Sequence, residues 1–151
     1  MKRVQKEVFQ GLKVRIDRPK GYVQRGKDDE GHPWSRIYLF DYGFLPKTQG
    51  GDGDGLDVFL GPKKNAKKAY WAVQKKADGS FDEYKVFLGF ESLAAAKKAY
   101  LAHIPAKFLD SFFEVEIPVM RSLLGEDPKQ KVAMFVAFSD ELQKIAAAQL
   151  L

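Results

Sequence analysis

Residues 41–61 read DYGFLPKTQGGDGDGLDVFLG, and the core of that run, GGDGDGLD, places Asp52, Asp54 and Asp57 within six consecutive positions. Carboxylates that close raise one another's pKa and repel, so a folded chain keeps them together where water or a cation screens them. Two readings follow. The aspartates hold a metal ion, or the segment is a solvated acidic turn, because Asp and Gly are also the ordinary residues of tight loops.

Known metal and phosphate loops narrow the first reading. An EF-hand counted from Asp52 would need an oxygen ligand at position 56 and a glutamate at position 63, where the chain has Leu56 and Lys63. A P-loop would end in Gly-Lys-Ser/Thr, and three bare aspartates would repel its phosphate. The glycines also miss the dinucleotide-binding spacing. What remains is a hard-cation site whose substrate brings the phosphate. Magnesium favours a few carboxylates, waters and phosphate oxygens, and Asp52, Asp54 and Asp57 are such carboxylates. One of them, spared from coordination, would serve as a base toward water.

Outward from that loop, the chain of 151 residues with 45% hydrophobic content suits one globular domain. No apolar run reaches the ~18 residues that span a bilayer, and MKRVQKEVFQGLKV lacks a signal peptide's apolar core. The expectation is a cytoplasmic protein without a membrane partner. The absence of cysteine excludes thiol catalysis, disulfides and Cys-type zinc sites. A net charge of +5 favours an anionic partner, either nucleic acid or a small phosphorylated molecule. The basic run PKKNAKK, 62–68, has no interleaved aromatics for base stacking and reads more simply as a solvated connection.

Apolar and polar residues alternate from Leu12 to Asp17 and from Tyr22 to Arg25, as in half-buried strands, and GKDDEGHP reads as a hairpin loop. WSRIYLF (34–40), DVFLG, AYWAVQKK and FDEYKVFLGF read as further strands, with ADGS (77–80) a turn between the last two. Ser92 is placed to cap a helix through LAAAKKAYLAHI that stops at Pro105. A short strand is expected at 114–118, then one or two helical turns in PVMRSLL. VAMFVAFSDELQKIAAAQLL carries apolar residues at helical spacing, predicting a long amphipathic helix. The hairpin ADGSFDEYK adds Asp78, Asp82, Glu83 and Lys85, an ordinary charged turn alone but a second carboxylate source beside the first cluster.

Taken together, DYGFLPKTQGGDGDGLDVFLGP resembles the signature of the family I soluble inorganic pyrophosphatases, in which a Tyr-Gly-aromatic run precedes Asp-Gly-Asp-x-x-Asp. With FDEYKVFLGF and the alanine-rich helix after it, the chain is similar still more to the shorter pyrophosphatase-like domains of phage and mobile-element proteins. The resemblance covers roughly residues 12–105 and runs on more loosely to about Leu124. It implies an α+β fold with a small closed or partly open β-barrel core, like that of oligonucleotide-binding folds, with flanking helices and a long C-terminal helix. The domain would span 1–125, and 126–151 would form the C-terminal helix.

The resemblance also implies roles. Asp52, Asp57 and Glu83 would hold Mg²⁺ ions, Asp57 bridging two, with Asp78 a further metal carboxylate. Asp54 would be the general base and Lys85 the phosphate-binding lysine. Asp17 in RIDRP falls where the family has a glutamate near the substrate and joins the metal carboxylates. Tyr42 matches the tyrosine ahead of the acidic loop and, with Arg36, belongs to the catalytic set. Lys20, Arg25 and Arg36 are the candidates for gripping pyrophosphate. The family's C-terminal Tyr-Lys pair has no counterpart, leaving Lys107 or Arg121 as substitutes, Gly55 replaces a proline, and Glu83 replaces an aspartate.

The expected activity is Mg²⁺-dependent hydrolysis of pyrophosphate, in the host cytoplasm or a virion if phage-encoded. The alternative is a catalytically reduced structural or assembly protein of a phage or mobile element. Homo-oligomerisation is an expectation by analogy, and the C-terminal helix either covers its own domain or docks a partner. Nucleic-acid binding through Tyr70, Trp71, Tyr84 and Phe87 is disfavoured, since strand aromatics usually lie in the core and an acidic cluster repels phosphate. His32 and His103 read as surface or satisfied histidines, and Trp34 and Trp71 as core.

Overall fold

The computed structural model describes residues 4–46 and 55–123. Its layering is written in KAYWAVQK, residues 68–75, where Ala69, Trp71 and Val73 enter one buried cluster while Tyr70 and Ala72 enter another. Successive side chains of a strand point to opposite faces, so a strand apolar at five successive positions, 69–73, lies inside a sheet covered on both sides.

The described elements run β1 (Gln5–Phe9), β2 (Leu12–Arg18), β3 (Val23–Lys27), β4 (Pro33–Ile37), β5 (Asp41–Leu45), β6 (Leu56–Leu60), β7 (Lys68–Lys75), β8 (Phe81–Leu88), α1 (Leu93–His103), β9 (Leu109–Glu116) and α2 (Ile117–Leu123). Seven strands form one sheet in the order β1-β2-β5-β6-β8-β7-β9, and β3 and β4 form a separate hairpin. All described neighbours are antiparallel except β6 and β8.

One face carries Val14, Ile16, Val58, Trp71, Val86 and Leu88 beneath Ile117 and Met120 of α2. The other carries Tyr42, Phe59, Tyr70 and Phe87 beneath Ala96, Ala99 and Tyr100 of α1. Ser92 caps α1 as its sequence predicts, its Oγ accepting from the Ala95 N–H at 3.1 Å. The helix ends at His103, ahead of Pro105.

Several expectations need correction. The sheet is not closed into a barrel, because its outermost described strands, β1 and β9, do not pair with each other. β1 and β5 are additional strands. β9 begins at Leu109, well before the expected 114, and gives way to helix at Ile117, with Pro118 in the first helical turn, where its missing N–H costs nothing. Trp34 is 40% exposed rather than core, lying against Gly26 across the β3–β4 hairpin. The expected helix at 126–151 lies outside the described residues. Among those described, no helix is long and apolar enough to cross a membrane.

Candidate active site

The β5–β6–β8 region gathers four of the expected site residues. Asp57 and Lys85 are register partners on the parallel pair β6 and β8, and Tyr42 stands opposite Phe59 on the antiparallel pair β5 and β6. Lys85 and Glu83 are two apart on β8 and therefore share a face.

Their polar atoms converge. Tyr42 Oη donates to Asp57 Oδ2 at 2.6 Å and accepts from Lys85 Nζ at 2.8 Å. Lys85 Nζ also lies 3.2 Å from Asp57 Oδ2 and 2.6 Å from Glu83 Oε1. The Lys85 side chain is only 8% exposed, whereas the Asp57 and Glu83 side chains are 33% and 42% exposed. An ammonium is thus buried beneath two carboxylates that open to solvent, and such a charge is tolerable because it is paired and hydrogen-bonded.

Burial, followed by the negative charge and hydrogen bond of Asp57 and the charge of Glu83, pushes the Tyr42 phenol well above its ordinary pKa. Tyr42 therefore acts as a neutral donor, not as a base. Its neighbour Gly43 explains the Tyr-Gly-aromatic run: a Cβ there would lie 1.7 Å from the Arg15 carbonyl oxygen of β2. A Cβ at Gly55 would lie 1.9 Å from the Leu45 carbonyl oxygen, so β6 enters the sheet where no side chain fits.

The other expected residues are placed differently. Asp52 and Asp54 lie outside the described residues. Asp78 sits on the hairpin turn, where its Oδ1 accepts from the Ser80 N–H at 2.9 Å and Oγ at 2.5 Å, bonds that lower its pKa. Lys20 is exposed on the turn after β2, its backbone N–H bonded to Asp41 Oδ1. Arg25 is exposed on β3 opposite Ser35, and Arg36 is half-buried on β4, 5.8 Å from the centroid of Trp34. None of these described residues bonds to the Tyr42–Asp57–Glu83–Lys85 group. Lys107 lies against Phe108, and Arg121 donates to the Gln10 carbonyl at the β1–β2 turn.

Sequence reading missed Arg18. A register shift between Ile16 and Arg18 places Arg18 opposite Tyr42. Its guanidinium lies 5.5 Å from the centroid of the Tyr42 ring and 5.6 Å from that of Tyr38, and its NH1 donates to Tyr38 Oη at 2.8 Å. Asp17, the extra residue at the shift, has a buried Oδ1 with no hydrogen-bond partner among the described residues. Only the bulge gives Arg18 this aim, and a strand pattern does not reveal it.

The aromatics weighed for base stacking are core: Tyr70, Trp71 and Phe87 are buried, and Tyr84 packs partly buried against the cluster that holds Trp71. His103 is buried, its Nδ1 against the Ala99 carbonyl at 2.6 Å and its Nε2 receiving the Leu39 N–H at 3.0 Å. These bonds define a neutral tautomer, Nδ1–H donating and Nε2 accepting. His32 is exposed beside Asp28 and Glu30.

For a metal ion, the donor chemistry of Asp57 and Glu83, all carboxylate oxygen, fits a hard cation such as Mg²⁺. Among the described residues no group of three or more metal-ligating side chains converges. The strands offer two carboxylates, so a cation held there would need its further ligands from elsewhere in the chain, the substrate or water.

Comparison with known proteins gives the chain a family. The family model described as Inorganic Pyrophosphatase matches residues 2–124. No curated protein matches the chain.

Proposed function

Because the chain belongs to the inorganic pyrophosphatase family, we propose that it hydrolyses inorganic pyrophosphate to two phosphates with Mg²⁺ as its cofactor. The observation that carries this reading is the single ammonium of Lys85, held by Tyr42 Oη and by the carboxylates of both Asp57 and Glu83. A structural ion pair needs one partner, whereas this group presents two half-open carboxylates and a fixed cation at one place.

Each side chain has a task in that reaction. Asp57 and Glu83 would hold divalent cation, with Asp52 as a further carboxylate, whereas Asp78, bonded to Ser80 on its turn, and Asp17 do not converge with them. Tyr42 stays protonated and fixes Asp57 Oδ2, so the carboxylate keeps one orientation. Lys85 presents its charge to a phosphate oxygen and to the charge that builds on the leaving phosphate. Asp54 takes the proton of the attacking water. Lys20, Arg25 and Arg36 supply cationic contacts to the outer phosphate. Mg²⁺, when bound, neutralises part of the diphosphate charge and makes water more acidic.

Glu83 reaches Lys85 at 2.6 Å, so the longer side chain still meets the lysine where the family has aspartate. The described contacts of Lys107, with Phe108, and of Arg121, with the Gln10 carbonyl, do not reach the Tyr42–Asp57–Glu83–Lys85 group, which favours neither as a substitute for the family's Tyr-Lys pair. Weaker grip on the product phosphate is the expected consequence.

The test is substrate competition. Phosphate release is followed with pyrophosphate, ATP and p-nitrophenyl phosphate over a range of Mg²⁺. Turnover of pyrophosphate at least tenfold above both others supports the reading. Equal turnover of ATP redirects it to nucleotides, and no turnover by folded protein favours the alternative, an assembly protein that keeps the fold.

A further inference from the structure

We propose that Arg18 is a positioning residue that acts on Lys85 and Asp57 through Tyr42, which touches all three, with no hydrogen bond or ion pair of its own to either. The inference starts at the backbone. Ile16 is fully buried on the α2 face, and in a regular strand the side chain two positions on would point the same way. The register shift inserts Asp17 as an extra residue, so Arg18 becomes the partner of Tyr42 and joins the opposite face.

There it meets a ring that already carries a cation. Lys85 Nζ meets Tyr42 at its hydroxyl end, 2.8 Å from Oη and 5.2 Å from the ring centroid, while the Arg18 guanidinium lies 5.5 Å from the same centroid, within reach of a favourable cation–aromatic interaction. The guanidinium is not free to drift. NH1 is tied to Tyr38 Oη at 2.8 Å, Tyr38 Oη donates in turn to Gln24 Oε1 at 2.8 Å, and the Tyr38 ring packs 5.1 Å from that of Tyr42. Gln24, Tyr38 and Arg18 therefore form a bracket against one side chain. That side chain has a single hydroxyl, which must sit between Asp57 Oδ2 and Lys85 Nζ. Since no hydrogen bond or ion pair joins Arg18 to Asp57, Glu83 or Lys85, its influence on them passes through the Tyr42 ring.

The inference concerns the same site as the proposed hydrolysis but does not need turnover for its test. The Lys85 side-chain nitrogen is observed by NMR in ¹⁵N-lysine-labelled full-length protein, assigned with Lys85→Arg, in a double-mutant cycle of Arg18→Met and Tyr42→Phe. Arg18→Met should move the Lys85 resonance, and adding it to Tyr42→Phe should move it no further. Tyr38→Phe, which frees the guanidinium while keeping both rings, should shift Lys85 in the same direction and serves if Arg18→Met does not fold. Arg18→Lys should restore more than half of the change.

If the protein turns over pyrophosphate, Arg18→Met should lower kcat about tenfold with KM within about twofold, the pattern of lost orientation. An unmoved Lys85 resonance in folded Arg18→Met, or an equal shift in both backgrounds, overturns the inference. A large rise in KM with kcat unchanged would also overturn it, making Arg18 a direct substrate contact. Absence of turnover with the Lys85 shifts as expected would leave the bracket standing and remove the hydrolase reading alone.

Discussion

Asp57 and Lys85 are direct partners across the parallel strands β6 and β8, and the same Asp57 oxygen that lies 3.2 Å from Lys85 Nζ also receives the Tyr42 hydroxyl. Parallel strands are joined by long connections, so residues 28 positions apart in the chain meet only because the sheet sets β6 beside β8. Strand register therefore fixes where the backbone of Lys85 stands beside that of Asp57.

Replacing Lys85 by Met leaves Asp57 and Glu83 facing each other without their shared cation. Because both carboxylates are partly exposed, the loss is discounted from the value for a buried pair to about 1–3 kcal/mol. Urea denaturation should show that loss in Mg²⁺-free buffer and a partial recovery when Mg²⁺ is added. Equal loss with and without Mg²⁺ would argue that the two carboxylates do not hold divalent cation.

At high pH the tyrosines report the site. Tyr42 is raised well above its usual pKa, and burial pushes Tyr100 up to about 12. A raised folded pKa stabilises fully below the unfolded value near 10 and is lost as pH rises beyond it. Stability should therefore fall from about pH 10 upward. Ultraviolet titration of the folded protein should leave at least two of the six tyrosines un-ionised at pH 11.

At low pH the relevant group is His103, whose burial holds its pKa below the ordinary value. The unfolded chain then binds the proton more readily, so the contribution is intact above about pH 6.5 and is lost as pH falls through the folded pKa. Protonation also removes the acceptor for the Leu39 N–H. The pH slope of stability between 6.5 and 5 should shrink in His103→Gln, measured by denaturation at several pH values.

Gly43→Ala tests the close approach of β5 to β2. A methyl group 1.7 Å from a backbone oxygen cannot be relieved by a side-chain rotation, so the strands must separate. A cost of about 1–3 kcal/mol is expected from overpacking alone, seen as a lowered denaturation midpoint. An unchanged midpoint would mean that β2 and β5 are less tightly joined than their register implies.

Much of this was legible in the sequence, for reasons that differ by element. β7 and α1 announced themselves, β7 through its run of apolar and aromatic residues AYWAV, which is buried on both faces, and α1 through its alanines and the Ser92 cap. β1 stayed hidden because it is an edge strand, with QKEV exposed and only Phe9 buried. β5 stayed hidden because DYGFL mixes a glycine and an acid into a strand whose side chains serve the site. Tyr42, Asp57, Glu83 and Lys85 came from motif resemblance, and the strand registers bring them together. Arg18 could not be found that way, since a bulge changes facing without leaving a mark in residue pattern. The closed barrel failed because the outermost strands do not meet, a property of sheet curvature that strand composition does not encode.

The most direct measurement is phosphate release from pyrophosphate with Mg²⁺ by the intact protein beside Asp57→Asn, with folding of both verified by circular dichroism. Asn keeps the size of the side chain and removes the charge that faces Lys85. Release by the intact protein that falls at least a hundredfold in Asp57→Asn is the predicted result. Release that survives the substitution, or none from either folded protein at any Mg²⁺ concentration, would contradict an active site built on Asp57 and Lys85.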